Sequence, residues 1–145
     1  MSYAIDVNIL LYASDAGSRY NARAAQFLES CVRGDDLLCL GWPTVMSYLR
    51  MATHPGIFRS PLSQAEAERN MDSLLTLAHS RILCEQEGFW QVYRKVAGAL
   101  PVRANLVPDA HLAALLRQHG VRTIYTHDRD FRKFDFLKVI DPLDE

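Results

Sequence analysis

Short apolar segments alternate with amphipathic helical segments along the whole chain, and this alternation restricts the possible folds more than any other feature. Leu37–Leu40 is apolar throughout, as expected for a strand buried on both faces of a sheet. Asn21–Arg33 instead has apolar residues at helical spacing and is followed by Gly34 as a stop signal. Such alternation is typical of an α/β domain whose mainly parallel sheet is covered by helices on both faces.

Five segments have the short β-prone pattern, and a central sheet of four to five strands is expected. The strand candidates are Tyr3–Ile5, Leu37–Leu40, Arg81–Cys84, Arg122–Thr126 and Leu137–Ile140. One helix start is marked by a capping box, in which Glu66 follows Ser63 by three positions. Helices are expected at Asn8–Ala13, Asn21–Arg33, Trp42–Thr53, Ser63–His79, Glu87–Leu100 and around Asp109.

The composition is that of an ordinary globular protein. With 145 residues and 49% hydrophobic side chains, one domain over residues 1–145 is expected. No apolar run approaches the roughly 20 residues needed to cross a bilayer, and no basic residue precedes Asp6 as in a secretion signal. We therefore expect a cytoplasmic protein without membrane contact. The net charge of −1 neither indicates nor excludes a nucleic-acid partner.

Aspartates follow two of the predicted strands. Asp6 comes directly after the first strand, and Asp128 and Asp130 follow Arg122–Thr126. The carboxyl ends of parallel strands lie at one edge of the sheet, where α/β domains bind their ligands. These three carboxylates are therefore expected at the same edge.

A fourth aspartate, Asp109, lies in the first turn of a predicted helix. Asn105 is a candidate N-cap of that helix, and Pro108 suits its first turn. Helical spacing places Asp109 on one face with Leu112 and Ala113, the face that should turn toward the sheet. A buried carboxylate is unfavourable unless it is paired or binds a cation. Because oxygen ligands favour hard cations, the four aspartates together predict a Mg²⁺ or Mn²⁺ site.

Each aspartate taken alone also has an ordinary structural explanation. The helix dipole favours an acid in a first turn, which would account for Asp109. Asp6 could cap the helix that follows it, and Asp128 could form a turn with Asp130 as a solvated neighbour. The metal-site interpretation rests on the occurrence of all four at one edge of the sheet.

Motifs for other chemistries are missing from the sequence. There is no Walker A or GxGxxG loop, and no nucleophile elbow. The three cysteines have no metal-ligand spacing and are expected to be reduced thiols. The spacing of His111, His119 and His127 does not suit zinc, so these histidines are interpreted as surface residues or as supports for the acidic site.

Four segments resemble PIN-domain ribonucleases, specifically the VapC-type toxins of toxin–antitoxin modules. They are YAIDVNILLYA around Asp6, WPTVMSYLRMATHPGIF in the second motif region, NLVPDAHLAALLRQHGV around Asp109 and IYTHDRDFRKF around Asp128. Their order and spacing agree with the family along nearly the whole chain. The resemblance implies a three-layer α/β/α PIN-like domain that hydrolyses RNA phosphodiesters.

Carried over by position, the resemblance implies an endoribonuclease with Mg²⁺ as cofactor, which Mn²⁺ can replace. Asp6 and Asp109 would be the principal metal ligands. Asp128 would complete the catalytic acids, and Asp130 would be an additional or water-mediated ligand. The side chains expected to orient these carboxylates or to shape their approach are Asn8, Thr126 and Asn105.

One position departs from the family pattern. Where the second motif usually has a glutamate, this chain has Ser47, which could hold a metal-bound water. We therefore expect one tightly held ion and a transient second. The departure also motivates an alternative, a catalytically weakened PIN-fold protein that acts mainly by binding a partner peptide or RNA.

Basic residues near the motifs are candidates for contacts with the RNA backbone, because phosphate charge dominates nucleic-acid affinity. The resemblance further implies a cognate antitoxin and a homodimer. The apolar surfaces of Trp42–Thr53 and Ser63–His79 are the expected places for such protein contacts. The candidate phosphate-binding residues are Arg50, Arg129, Arg132 and Lys133.

Overall fold

Parallel strands form the centre of the computed structural model, which describes residues 1–98 and 100–144. Within these residues the strands are β1 (Ser2–Ile5), β2 (Leu37–Gly41), β3 (Ser80–Leu83), β4 (Thr123–Tyr125) and β5 (Lys138–Ile140). They form one sheet in the order β3-β2-β1-β4-β5. Every neighbouring pair is parallel. The predicted parallel sheet is confirmed.

Helices connect the strands and cover both faces of the sheet. They are α1 (Val7–Ser14), α2 (Asn21–Arg33), α3 (Trp42–Ala52), α4 (Gln64–Leu75), α5 (Phe89–Ala97) and α6 (Leu106–Gln118), followed by a 3₁₀ helix at Arg129–Lys133. The predicted capping box is present, since the backbone N–H of Glu66 donates to Ser63 Oγ and that of Ser63 donates to Glu66 Oε1, both at 3.1 Å. None of the helices in the described residues is long and apolar enough to span a membrane.

Two helices are shorter in the structure than the sequence predicts. The helix predicted to reach His79 ends at Leu75. Beyond it the i→i−4 bonds give way to turn bonds, from the N–H of Leu77 to the Leu74 carbonyl at 3.4 Å and from that of Ser80 to the Leu77 carbonyl at 3.0 Å, and the chain enters β3. The helix predicted at Glu87–Leu100 is limited to α5. Glycines with positive φ flank it, Gly88 at 82° and Gly98 at 48°, and this conformation cannot continue a right-handed helix.

The alternation of side chains along each strand separates two apolar cores. Tyr3 and Ile5 of β1 belong to the core beneath α1 to α4, whereas Ala4 belongs to the core beneath α5 and α6. The same alternation places Leu38 and Leu40 in the first core and Cys39 in the second. The predicted three-layer α/β/α architecture is therefore confirmed.

The strand order places a reversal of winding beside β1. From β1 the chain moves outward through β2 to β3, and it then returns to the other side of β1 as β4 and β5. Such a reversal opens a crevice at the carboxyl ends of the two strands between which it occurs. The residues that follow β1 and β4 therefore border this crevice.

Candidate active site

Asp6 is the first residue after β1, and its carboxylate caps α1. Its Oδ1 accepts a 2.7 Å hydrogen bond from the backbone N–H of Val7, and its Oδ2 accepts one of 2.8 Å from the hydroxyl of Thr126. Only 9% of the residue is exposed. Burial raises the pKa of Asp6, while the two hydrogen bonds act in the opposite direction. The capping role and the position in the crevice are therefore combined in one side chain.

Thr126 joins the residues that follow β1 to those that follow β4. Its buried hydroxyl donates to Asp6 and accepts hydrogen bonds from the backbone N–H of Asp128 at 2.9 Å and from Asn8 Nδ2 at 3.3 Å. One donor and two acceptor positions are thus all used. Of the residues expected to orient the carboxylates, Thr126 contacts Asp6 directly, and Asn8 contacts the Thr126 hydroxyl.

Asp109 enters the crevice from the first turn of α6. Together with Asp128 and Asp130 it offers carboxylate oxygens that all lie within 4.8 Å of one another. The pKa of Asp109 is raised to about 7, first by burial and then by the negative charges of Asp128, Asp6 and Asp130. Without a counterion the cluster is therefore electrostatically unfavourable.

The donor set fits a hard divalent cation. It consists of carboxylate oxygens only. Burial and the neighbouring negative charges raise the pKa of Asp109, and a bound cation would offset both effects. In the described part of the chain, Asp6 lies outside the group whose oxygens are within 4.8 Å, and its two oxygens accept hydrogen bonds from Val7 and Thr126. Its charge nevertheless acts on Asp109. Asp6 therefore borders the cluster.

Asp128 and Asp130 are positioned by the 3₁₀ helix that follows β4. Asp128 is its N-cap, and Asp128 Oδ1 accepts a 2.9 Å hydrogen bond from the backbone N–H of Asp130. Asp130 is exposed, and its Oδ1 lies 3.3 Å from Lys133 Nζ. Lys133 also lowers the pKa of Asp109. Lys133 is thus a predicted phosphate-contacting residue whose charge acts on the acidic cluster. Arg129 and Arg132 are exposed on the same 3₁₀ helix.

Three other predicted residues have no polar contact with the acids in the described structure. Asn105 precedes α6 and is exposed, but its side chain makes no capping hydrogen bond, because its backbone is already helical. Ser47 is half-buried and Arg50 is exposed on α3. The neighbouring Tyr48 points to α1 and α4, where its hydroxyl contacts Ser14 Oγ at 2.7 Å and Asn70 Nδ2 at 2.9 Å.

Asp141 is not among the residues predicted from the sequence. It is the first residue after β5, and Asp141 Oδ2 lies 2.7 Å from His127 Nδ1. The only available signal was its position after a strand, which Asp6 shares. The other histidines lie apart from this pair: His111 pairs with Glu85, and His119 contacts the carbonyl of Cys84, both at 2.7 Å.

A groove of about 880 Å³ opens next to Lys133. Its cations come from three elements, Lys95 on α5, Arg117 on α6 and Lys133 on the 3₁₀ helix. The guanidinium of Arg117 lies 4.9 Å from the centre of the Phe136 ring. Glu87 and Asp135 are the acids among its lining residues, and its apolar walls include Val92, Val96, Leu100, Phe134 and Phe136.

The sequence of this chain matches a protein-family model and is similar to named ribonucleases. Residues 3–137 match the PIN domain family model. The chain is 43% identical over 142 residues to Ribonuclease VapC48 of Mycobacterium tuberculosis, covering 98% of each chain. It is 31% identical over 140 residues to Ribonuclease VapC43 of the same organism, covering 97% of this chain and 95% of the relative.

Solved structures share the fold at lower sequence identity. One is the Sarcin-Ricin loop cleaving toxin VapC20 of Mycobacterium tuberculosis, with a TM-score of 0.70, 15% identity, and coverage of 96% of this chain and 99% of the other. Another is VapBC-1 of nontypeable Haemophilus influenzae, with a TM-score of 0.67, 21% identity, and coverage of 99% and 100%. The order of strands and helices described above is thus that of a known architecture.

Proposed function

Since this chain belongs to the PIN-domain family, we propose that it is a Mg²⁺-dependent endoribonuclease and the toxin of a toxin–antitoxin pair. The observation that carries the proposal is the convergence of Asp109, Asp128 and Asp130 within 4.8 Å at the crevice bordered by Asp6. A relative with 43% identity over 98% of its length is a named ribonuclease, which supports RNA as the substrate. The reaction is hydrolysis of a phosphodiester bond.

A bound Mg²⁺ or Mn²⁺ ion would neutralise charge on the scissile phosphate and lower the pKa of the attacking water. Asp109, Asp128 and Asp130 would hold the ion, with Asp6 as a further ligand directly or through water. Asp109 must be ionised for this role, and its raised pKa means that ion binding displaces a proton near neutral pH. Asp128 would orient the attacking water.

The residues around the acids fix their geometry before substrate arrives. Thr126 holds the Asp6 carboxylate and the backbone of Asp128 with one hydroxyl, at 2.8 and 2.9 Å. Asn8 supports that hydroxyl and the backbone of His127. Such preorganisation means that little rearrangement is needed when negative charge develops on the phosphate.

The RNA backbone would be held by cations on the 3₁₀ helix. Arg129, Arg132 and Lys133 lie within five residues of Asp128, and Lys133 contacts Asp130 at 3.3 Å. From Lys133 the strand can continue into the groove that also contains Lys95 and Arg117. Arg50 is a further candidate on α3, and its role depends on how a partner copy completes the surface.

An antitoxin segment and a second copy of the chain would use the apolar surfaces of α3 and α4. A groove of about 300 Å³ lies between α1, α2, α3 and α4, and its lining is mainly apolar. Trp42 and Met46 are exposed one turn apart on α3, and we propose that they contact the partner copy. The apolar residues of the groove are Leu10, Ala13, Ala25, Leu28, Val32, Met71 and Leu74. Because RNA and antitoxin are both cytoplasmic in such a module, the proposed location is the cytoplasm.

Ser47 favours one alternative, a weakened enzyme that acts mainly by binding. Its side chain makes no polar contact with the acids in the described structure, so α3 adds no carboxylate there. A Ser47→Glu variant tests this position. We expect tighter Mn²⁺ binding and faster cleavage than in the wild type. Ser60→Glu, the same change at an exposed serine between α3 and α4, is the control and should leave both unchanged.

Cleavage of RNA by the purified protein tests the proposed function. We expect Mg²⁺- or Mn²⁺-dependent cleavage that is abolished by EDTA and reduced at least about 100-fold in Asp109→Asn, since an essential ligand is lost. Asp72→Asn, an exposed acid on α4, is the matched control and should cut at the wild-type rate. Cleavage of equal rate in Asp109→Asn and the wild type would refute the proposed site.

A further inference from the structure

We propose that Asp141 is a positioning residue, which acts through His127 to hold the Asp128 carboxylate in place for a divalent cation. This inference rests on the proposed function, and it adds a residue after β5 that neither the motifs nor the acidic cluster contains. Asp141 fixes His127, and His127 is the residue between Thr126 and Asp128.

Three parallel strands supply the parts of this arrangement. Asp6 follows β1, Thr126 to Asp128 follow β4, and Asp141 follows β5. The sheet ladder continues for one residue beyond β4, since the backbone N–H of Thr126 donates to the carbonyl of Ile140 at 2.9 Å. His127 and Asp141 are therefore adjacent at the sheet edge, directly beside the crevice.

Contacts on several sides fix the His127 side chain. Its Nδ1 lies 2.7 Å from Asp141 Oδ2, and a carboxylate can only accept, so Nδ1 is the nitrogen that carries the proton. The ring centre lies 4.7 Å from that of Tyr20 and 5.9 Å from that of Tyr12. Asp141 is itself fixed, because its Oδ1 accepts a 2.9 Å hydrogen bond from the backbone N–H of Leu143.

The fixed His127 ring holds the backbone of residues 126–128 in place, and this segment positions the carboxylates of Asp6 and Asp128. The His127 N–H approaches Asn8 Oδ1 at 3.4 Å, and Asn8 also donates to the hydroxyl of Thr126. That hydroxyl binds Asp6 on one side and the N–H of Asp128 on the other. Without the Asp141 contact, the backbone between Thr126 and Asp128 would be less restrained. The Asp128 side chain would then no longer be held in one orientation.

The His127–Asp141 pair is less exposed than a surface ion pair, and surface ion pairs contribute little to the free energy of unfolding. The side chains of His127 and Asp141 are 30% and 18% exposed, whereas those of the similar His111 and Glu85 pair are 37% and 39% exposed. Side chains that orient metal ligands without touching the metal typically alter metal affinity 10- to 100-fold when replaced. If the His127–Asp141 pair only joined the ends of β4 and β5, its loss would lower the stability of the fold and leave the metal affinity unchanged.

Mn²⁺ titration of the purified, folded protein separates these two roles. The variants are Asp141→Ala, which removes the contact, and Asp141→Asn, which keeps an acceptor oxygen and serves as the conservative variant. Glu85→Ala breaks the His111 pair, which has the same 2.7 Å length, and is the matched control. The dissociation constant for Mn²⁺ is measured by calorimetry, and the melting temperature is measured in EDTA.

We expect Asp141→Ala to weaken Mn²⁺ binding at least about tenfold and Asp141→Asn to weaken it less, with Glu85→Ala equal to the wild type. A lower melting temperature with wild-type Mn²⁺ affinity in Asp141→Ala would overturn the positioning role and leave the proposed function standing. If Asp141→Ala does not fold, unchanged affinity in Asp141→Asn and in His127→Ala overturns it equally. A wild type that binds no Mn²⁺ would refute the metal site itself.

Discussion

The hydroxyl of Thr126 donates a 2.8 Å hydrogen bond to Asp6 across 120 positions of sequence. Since Thr126 is buried, Thr126→Val should leave the Asp6 carboxylate without this donor and without a replacement from water. We expect a loss of about 1–3 kcal/mol in the free energy of unfolding and weaker Mn²⁺ binding. Urea denaturation and Mn²⁺ titration measure the two effects.

Thr123→Val is the control for this change, because Thr123 begins the strand that Thr126 follows and its hydroxyl makes no hydrogen bond in the described structure. It should leave both quantities near the wild-type values. Equal behaviour of the two valine variants would show that the Thr126 hydroxyl does not support the site.

Asp109 destabilises the metal-free protein, because its ionised carboxylate is half-buried and lies among three other carboxylates. Asp109→Asn removes the charge, and with it the burial penalty and the repulsion that together raise the pKa of Asp109 to about 7. In EDTA we expect the variant to be more stable than the wild type at pH 8, by about 1–2 kcal/mol after allowance for solvent screening at a half-buried group. Thermal denaturation with and without Mg²⁺ measures this, and the stabilisation by Mg²⁺ should be largely lost in the variant.

The stability difference between Asp109→Asn and the wild type should depend on pH in a defined direction. The folded pKa of Asp109, about 7, lies above its ordinary value of 3.8, so the folded wild type binds the proton more tightly than the unfolded chain does. The stabilising proton is fully present below about pH 4 and is lost as the pH rises through 7. In EDTA the advantage of the variant should therefore grow from pH 5 to pH 8. A constant difference across this range would contradict the raised pKa.

Arg132 provides a test of the proposed path of the RNA backbone. Arg132→Ala should raise KM several-fold with a smaller effect on kcat, because a phosphate contact is lost while the acids are intact. The dependence of binding on salt should weaken by about one unit of log–log slope. Arg69→Ala, which removes an exposed arginine of α4, should change neither quantity. Cleavage assays at two or more salt concentrations give the comparison.

Gly41 tests the packing between β2 and α6. A Cβ at this position would lie 2.7 Å from Leu115 Cδ2, and Leu115 is fully buried. Gly41→Ala should therefore cost about 1–3 kcal/mol through overpacking. Denaturant unfolding checks this value, and Leu115→Ala in the same background should recover part of the loss relative to Leu115→Ala alone.

Several features of the fold follow from local sequence. The apolar strand at Leu37 and the helix at Asn21–Arg33 were predictable because burial on both faces and helical amphipathicity have distinct periods. The capping box at Ser63 was predictable because its two hydrogen bonds join residues three positions apart. The common edge of Asp6 and Asp128 follows from the direction of parallel strands alone.

Contacts between distant segments could not be predicted from local sequence patterns. The strand order that places Asp6 beside Asp128 depends on which strands pair, and the hydroxyl that joins them belongs to a residue type common in strands. The pairing of His127 with Asp141 requires the register of β4 on β5, which short apolar segments do not specify. The helix between Gly88 and Gly98 is shorter than predicted. The amphipathic pattern of the sequence continues past these two glycines, but their backbone conformation ends the helix.

The central place of β1 in the sheet has a consequence for the timing of synthesis. β1 is translated before its neighbour β4 and before Asp128. Pairing across so many residues is slow and cannot begin until the distant partner exists. The acidic crevice of a nascent chain therefore stays incomplete until β4 and Asp128 have left the ribosome, so with the proposed site the chain cannot cut RNA before that point.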